Sequence, residues 1–243
     1  MCTRFLLEQA RLRALAAALA LPASAAEVIA PRDRFNIAPG RPVSALRSLT
    51  GVFHPHWGFA PRAAGQAPLV NARAESLAER PAFRDAYRAR RCLVPATGFY
   101  EWQKLGRARL PWLFRIENPD TPGTPAPFCL AGLWERAPDG DGGATSLVVV
   151  TTAANAVMAP IHDRMPAVLR DAAACRAWLD PLTPDATLAA LLAPAPDAVL
   201  RATPVSPRVN RPDFDSPECL VPAVHGLAAR DETETDVLEL GLG

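Results

Sequence analysis

Arg91-Cys-Leu-Val-Pro-Ala-Thr-Gly-Phe-Tyr-Glu-Trp102 is the stretch on which the fold turns. Cys92-Leu-Val-Pro95 is short and apolar, Gly98-Phe-Tyr-Glu-Trp102 is aromatic, and a Thr-Gly pair separates them, which reads as strand, turn and second strand. Toward the C-terminus, Pro111–Ile116 and Phe128–Trp134 continue as aromatic and aliphatic strand runs. Gly140–Gly143 marks a turn, and Ser146–Thr151 is the clearest buried strand. Toward the N-terminus, Arg34–Gly40 reads as a strand end entering a turn, and Val52–Phe59 as a strand broken by Pro55. Leu69–Glu75 leads into a helical stretch through Arg91, with Pro81 placed to start a second helix. Helices are expected at 172–179 and 186–192. Short strands without regular crossover helices predict an α+β fold, mostly antiparallel, with a barrel-like β core and surrounding helices in a single domain.

That domain is placed at residues 1–225, followed by an acidic tail over 226–243 that lacks aromatics and reads as disordered, most clearly from Asp231. The 26 prolines gather in Pro119–Pro127 and Pro194–Pro207, read as loops. No internal repeat, phosphate-binding glycine motif or coiled coil is present in the sequence.

A formal net charge of +1 argues against coating nucleic acid by bulk charge, so contacts to DNA must come from local arginines. Arg84, Arg88, Arg90 and Arg91 form one such cluster, equally readable as a solvated helix face. The five cysteines show no CxxC pair and no histidine at ligand spacing, which implies neither a metal site nor a disulfide framework. No cofactor is expected.

Residues 1–27 imitate a secretory signal: a basic start, the apolar run Ala14–Leu21, and small residues before Glu27. Against that, Glu8 and Gln9 interrupt the leading segment, and Leu6, Leu7, Ala10, Leu15 and Leu19 fit one side of an amphipathic helix ending at Pro22. No segment reaches the roughly 18 to 20 apolar residues needed to cross a membrane, and the expected location is the cytoplasm.

Four separated segments place unusual polar groups in apolar surroundings. Cys2 becomes the N-terminal residue once Met1 is removed, offering an α-amine (reference pKa about 7.7 to 8.0) beside a thiol (about 8.5). An amine adds to an aldehyde to give a Schiff base, and the thiol can close on the same carbon as a thiazolidine. Glu101, between Tyr100 and Trp102, is set for a raised pKa and acid–base work, or else lies on a solvated strand face. His162, in a loop between Pro160 and Pro166, is a proton shuttle or a structural hydrogen-bonding group. Asn71 and Arg73 alternate in an extended segment, the amide suited to orient a nucleophile and the arginine to hold phosphate.

Taken together, Met1-Cys-Thr-Arg-Phe5, Phe35-Asn-Ile-Ala-Pro39, Trp57-Gly-Phe-Ala-Pro61, Asn71-Ala-Arg-Ala-Glu75, Arg91–Trp102, Ala131-Gly-Leu-Trp-Glu135, Thr151–Asn155 and Ile161-His-Asp-Arg-Met-Pro166 occur in one order. This series resembles the SOS response-associated peptidase family, the abasic site processing proteins, from Met1 to about Pro222. The resemblance implies that Cys2 forms a thiazolidine cross-link with the ring-opened aldehyde of an abasic site in single-stranded DNA. Asn71, Glu101 and His162 would position the cysteine and handle protons. Arg4, Arg73 and Arg164 would meet the DNA backbone, Pro39 and Trp57 would face the DNA groove, and Thr151 would lie near the site. It also implies self-processing that removes Met1, DNA damage and SOS roles, a monomer, and association with the nucleoid when bound to DNA. Phe59 and Ala60 depart from the family's aliphatics, and the alanine-rich first helix and acidic tail lie outside its pattern. The competing expectations are an N-terminal-nucleophile cysteine peptidase or amidase acting on other substrates, and a non-catalytic single-strand binding module.

Overall fold

The structure, a computed structural model, describes residues 2–22, 24–61, 65–118, 121–136 and 145–223. The tail over 226–243 and the Gly140–Gly143 turn lie outside the described residues.

Two curled, mostly antiparallel sheets build an α+β domain, as expected, although neither closes into a barrel. The six-stranded sheet runs Thr121–Ala126, Ala108–Asn118, Gly98–Leu105, Phe5–Leu7, Arg34–Ile37, with Leu200–Pro204 also pairing Ala108–Asn118. The nine-stranded sheet runs Arg164–Pro166, Thr145–Ala153, Phe128–Arg136, Arg91–Ala96, Ala45–Ser48, Gly51–Phe53. Its short additions are Val168–Leu169 on Phe128–Arg136, and the parallel His56–Trp57 and Asn71–Arg73 on Thr145–Ala153.

Alternation explains the core. Phe5, Phe99 and Phe114 from one sheet and Leu93, Leu130 and Val148 from the other are fully buried in one apolar cluster. Phe99 stacks on Phe114 at 5.2 Å and meets Phe128 edge-on at 6.3 Å. The opposite face of Gly98–Leu105 has its own small cluster, in which Leu6, Tyr100 and Leu113 are covered by Val205, Val209 and Cys219 of the C-terminal turns.

The signal-like N-terminal run is built into this core. Leu6 and Leu7 belong to the strand Phe5–Leu7 rather than to the helix expected there, and the helix is Gln9–Ala18 with Leu12, Leu15 and Ala16 buried. Leu19, Ala25, Ala26 and Ile29 continue the buried side. The helices at Ala172–Leu179 and Asp185–Leu191 match expectation; the Asp171 carboxylate caps the first by accepting from Ala174 N. The stretch before Arg91 is less helical than expected: a 3-10 turn at Ala74–Ser76, then Arg84–Ala89, with Pro81 outside both. The proline-rich loops each contain a strand, Thr121–Ala126 and Leu200–Pro204, at the edges where a missing N–H is tolerated. Among the described residues no helix is long and apolar enough to cross a membrane.

Candidate active site

The N-terminal strand is held from both sides, which fixes Cys2. Phe5 pairs with Ile37 on one edge and Phe99 on the other, Tyr100 N donates to Arg4 O at 3.0 Å, and Thr97 N donates to Leu6 O at 2.9 Å. This closeness favours glycine at position 98, where a Cβ would stand 2.7 Å from Leu6 Cδ2 and 3.1 Å from Phe114 O. Arg4 is anchored in turn, donating to Asn36 Oδ1 (2.8 Å) and Val209 O (2.9 Å) with its guanidinium over the Trp102 ring at 5.6 Å. Asn36 is itself fixed through Nδ2 donation to Arg211 O and Phe214 O, both 2.8 Å. Cys2 is fully buried at the end of this strand. Burial first, and the neighbouring Glu101 carboxylate second, push its thiol pKa up, so the sulfur rests as a thiol.

Beside it opens a cleft of about 630 Å³ whose walls come from different elements. Thr3, Arg4, Glu101, Trp102, Lys104 and Arg109 belong to the six-stranded sheet and its N-terminal lead-in. Arg73, His162, Asp163 and Arg164 come from the nine-stranded sheet and the loop that enters it, and Asn210 from a C-terminal turn. Trp102 Nε1 donates to Asn210 Oδ1 at 2.6 Å, tying that turn to the strand.

Glu101 is 2% exposed. Burial raises its pKa to about 7, so near neutrality it is both an available acid and an available base. His162 Nδ1 accepts the backbone N–H of Arg164 at 3.0 Å, which places the ring proton on Nε2. Asp163 Oδ1 also lies 3.0 Å from Nδ1, but that carboxylate is largely solvated, and it could bond only a protonated Nδ1, which could then no longer accept from Arg164. Burial lowers the His162 pKa, which favours the neutral ring and the backbone contact. Arg164 grips Glu75 with both Nη atoms, at 2.7 and 2.9 Å, and Nη2 donates to Thr151 O at 2.6 Å. The Asn71 amide is buried with neither Nδ2 nor Oδ1 hydrogen-bonded. It sits on the strand whose register pairs Asn71 with Val149 and Arg73 with Thr151.

Of the residues singled out in the sequence, Arg4, Arg73, Glu101, His162 and Arg164 meet in the cleft, and Cys2 adjoins Glu101. Thr151 is buried beneath, as a support for Arg164. Trp57 departs from its expected place in a DNA-facing groove. It is 1% exposed, donates through Nε1 to Val70 O at 2.9 Å and packs on Phe5 at 5.3 Å, because its large apolar ring fills the space between the sheets. Pro39 is half-buried and outside the cleft lining. Of the arginine cluster before Cys92, Arg91 is buried and donates to the carbonyls of Trp178, Tyr87, Arg88 and Asp180, whereas Arg84 and Arg88 are exposed. Sequence reasoning gave no role to Glu75, Asn36, Lys104, Arg109 or Asn210. Lys104 and Arg109 were legible in principle, since they flank Gly106-Arg107 symmetrically and so oppose each other in a hairpin. All five cysteines are buried and free, and among the described residues no cluster of His, Cys, Asp and Glu could hold a metal ion.

Comparison with known proteins gives the family and the shared fold. Residues 1–212 match the family model described as SOS response associated peptidase (SRAP). The chain is 33% identical over 197 residues to the abasic site processing protein YoqW of Bacillus subtilis, covering 76% of this chain and 84% of that protein. It is 34% identical over 157 residues to the abasic site processing protein YedK of Escherichia coli, covering 61% and 65%. A crystal structure of a protein from Bacteroides thetaiotaomicron superposes with a TM-score of 0.75 over 92% of this chain and 100% of that one, at 23% identity, which shows a shared fold. The chain therefore belongs to the SOS response associated peptidase family.

Proposed function

We propose that this protein processes abasic sites by covalent capture, with Cys2 as the nucleophile and single-stranded DNA as the substrate. The observation that carries the reading is Glu101, a buried carboxyl with a pKa of about 7, beside Cys2 and at the base of a cleft edged by Arg4, Arg73 and Arg164. The relatives named as abasic site processing proteins support it.

Removal of Met1, by the chain itself or by an aminopeptidase, frees the Cys2 α-amine. The amine adds to the aldehyde carbon of the ring-opened deoxyribose, giving a carbinolamine. Neutral Glu101 protonates the departing hydroxyl, water leaves, and an imine remains. That imine still carries the proton of its nitrogen, so the sulfur bonds to the same carbon while the thiol proton returns to the Glu101 carboxylate, closing the thiazolidine and restoring the neutral acid. A thiol held protonated by burial needs such a base, and Glu101 adjoins it. Neutral His162, with its proton on Nε2, donates to the sugar oxygen as the ring opens and takes that proton back on reversal. The Asn71 amide, lacking partners, orients the Cys2 amine. The working unit is a monomer in the cytoplasm, at the nucleoid when bound to DNA.

The test is a mass spectrum and denaturing gel of the purified protein, alone and after mixing with an abasic single-stranded oligonucleotide. A chain lacking Met1 and a gel-stable adduct of one protein and one strand are expected, with no adduct from Cys2→Ala. An adduct undiminished in that variant, or hydrolysis of unrelated peptides without any adduct, overturns the reading.

A further inference from the structure

The charges lining the cleft are not all accounted for by the protein. Arg164 is held by Glu75, and Arg4 by Asn36 and the Val209 carbonyl. Further along the hairpin strand Ala108–Asn118, the charged side chains are matched: Arg115 meets Glu8 at 2.8 Å, and Glu117 meets Arg201 at 2.7 Å. Lys104 and Arg109 differ. They face each other directly across the hairpin Gly98–Leu105/Ala108–Asn118, in the register 104↔109, and both are exposed on the cleft. Among the described residues neither forms an ion pair. Like charges directly opposite on an antiparallel pair repel, so the arrangement carries an intrinsic penalty unless an anion lies between them. The hairpin strands are held together by their pairing, which continues through Leu105↔Ala108, and Gln103 Nε2 donates to Pro160 O at 3.2 Å, joining the hairpin to the loop that carries His162. Lys104 is also close enough to His162 to contribute to its lowered pKa, after burial.

We propose that Lys104 and Arg109 form a phosphate-binding pair that holds the DNA backbone on the wall of the cleft opposite Arg73 and Arg164. The inference rests on the proposed function for its ligand, a single-stranded polynucleotide. The strand then crosses the cleft with one phosphate on the hairpin wall and a neighbouring one on the Arg73 wall, and the sugar between them lies over Glu101 and Cys2. A paired, preset grip suits a site that must hold a nucleotide having no base to stack, since phosphate contacts fix register without reading sequence.

The experiment separates backbone binding from covalent capture. In the full chain carrying Cys2→Ala, affinity for an intact, non-abasic single strand is measured across a salt series. For single strands the slope of log affinity against log salt is about 0.7 for each phosphate that the protein neutralises. The combined Lys104→Gln and Arg109→Gln variant is expected to flatten the slope by about 0.7 and to weaken binding at low salt. Arg107→Gln, at the exposed hairpin tip outside the cleft, should leave the slope unchanged. The double variant should melt no lower than its parent, because a repulsive pair has been removed; a marked fall would assign the pair a structural role and overturn the proposal. An unchanged slope, or an equal flattening by Arg107→Gln, overturns it as well. Failure of the covalent reading shows elsewhere, as absence of adduct from the wild-type chain with abasic strand, and leaves the salt slope free to support or refute the pair.

Discussion

His162 and Arg164 are joined by a hydrogen bond in which the ring Nδ1 accepts the backbone N–H at 3.0 Å, so the strand that presents the arginine also sets the tautomer of the histidine. With Nδ1 occupied and the pKa lowered by burial, the ring stays neutral and keeps its proton on Nε2. Nitrogen NMR of the labelled protein is expected to show the Nε2–H tautomer near pH 7, titrating below the ordinary histidine range. His162→Ala should slow adduct formation roughly 10²–10⁴-fold, the usual contribution of a positioned proton donor. A charged imidazole at pH 7 would contradict the assignment.

Glu101 links activity to stability with a definite sign. Its folded pKa, about 7, lies above the ordinary carboxyl value, so the folded state binds the proton more tightly than the unfolded chain. Stability from this group is fully present below the unfolded pKa of about 4.3 and is lost as pH rises through 7. Glu101→Gln removes the ionisation penalty and is expected to stabilise the fold at pH 8 by about 3 kcal/mol, since each tenfold gain in proton affinity is worth about 1.36 kcal/mol. The advantage should shrink toward zero near pH 4. The same variant should lose the falling limb of the pH–rate profile for adduct formation, which sits near 7 in the parent. Denaturant titrations at both pH values and single-turnover rates check the two halves independently.

Glu75 has a different bearing on the cleft, because it occupies the arginine that the proposed strand would use. Its carboxyl is held below its usual range by the bidentate Arg164 hydrogen bonds, so this stabilisation is present at neutral pH and lost as pH falls through the lowered value. The carboxylate is half exposed, which limits the pair to about 1 kcal/mol. Glu75→Gln is therefore expected to change stability by less than that while tightening non-covalent binding of an intact single strand several-fold. Weaker binding would mean that Glu75 serves to aim Arg164 rather than to compete for it.

Much of this was legible in the sequence, and the exceptions have physical causes. Gly98-Phe-Tyr-Glu-Trp102 and Ser146–Thr151 were readable as strands because their side chains alternate or are uniformly apolar. Thr121–Ala126 and Leu200–Pro204 were not, because Pro122, Pro125 and Pro204 are loop signals unless a strand lies at an edge, which only tertiary pairing decides. Leu6 and Leu7 fit a helical spacing, yet the cleft-side strands capture them. Glu101 and His162 could be named from their surroundings, but Arg164, bonded to His162, could not be seen to depend on Glu75, far away in the chain. Trp57 misled because its groove position came from the family resemblance alone, whereas its burial depends on packing against Phe5.

Gly98 tests whether the placement of Cys2 depends on the strand behind it. Gly98→Ala brings a methyl to 2.7 Å from Leu6 Cδ2 and 3.0 Å from Leu113 Cδ1, with Phe114 O close behind. Overpacking of this kind typically destabilises by about 1–3 kcal/mol. Leu6 and Leu113 are buried and have little room to turn aside, so part of the relief is expected from Phe5–Leu7 moving away from Gly98–Leu105, carrying Cys2 from Glu101. Adduct yield should fall more than the melting temperature alone accounts for, and Leu6→Ala in the same chain should recover part of it by removing the clashing methyl.

Asn71 separates function from stability most directly. A buried amide with no hydrogen bonds is a desolvated polar group, a penalty of about 1–3 kcal/mol that most folds avoid. Asn71→Ala removes that penalty and also some packing, so the two terms offset and the fold should change by less than about 1 kcal/mol. Adduct formation should nevertheless slow by at least tenfold, because the Cys2 amine loses the group proposed to orient it. Asn71→Asp offers the contrasting case: a carboxylate at this position is desolvated without a compensating donor, so it should destabilise at pH 8 but much less at pH 5. Denaturation and adduct kinetics on the same preparations decide the matter. A loss of several kcal/mol in Asn71→Ala would show that the amide supports the fold, and its proposed place beside the nucleophile would have to be given up.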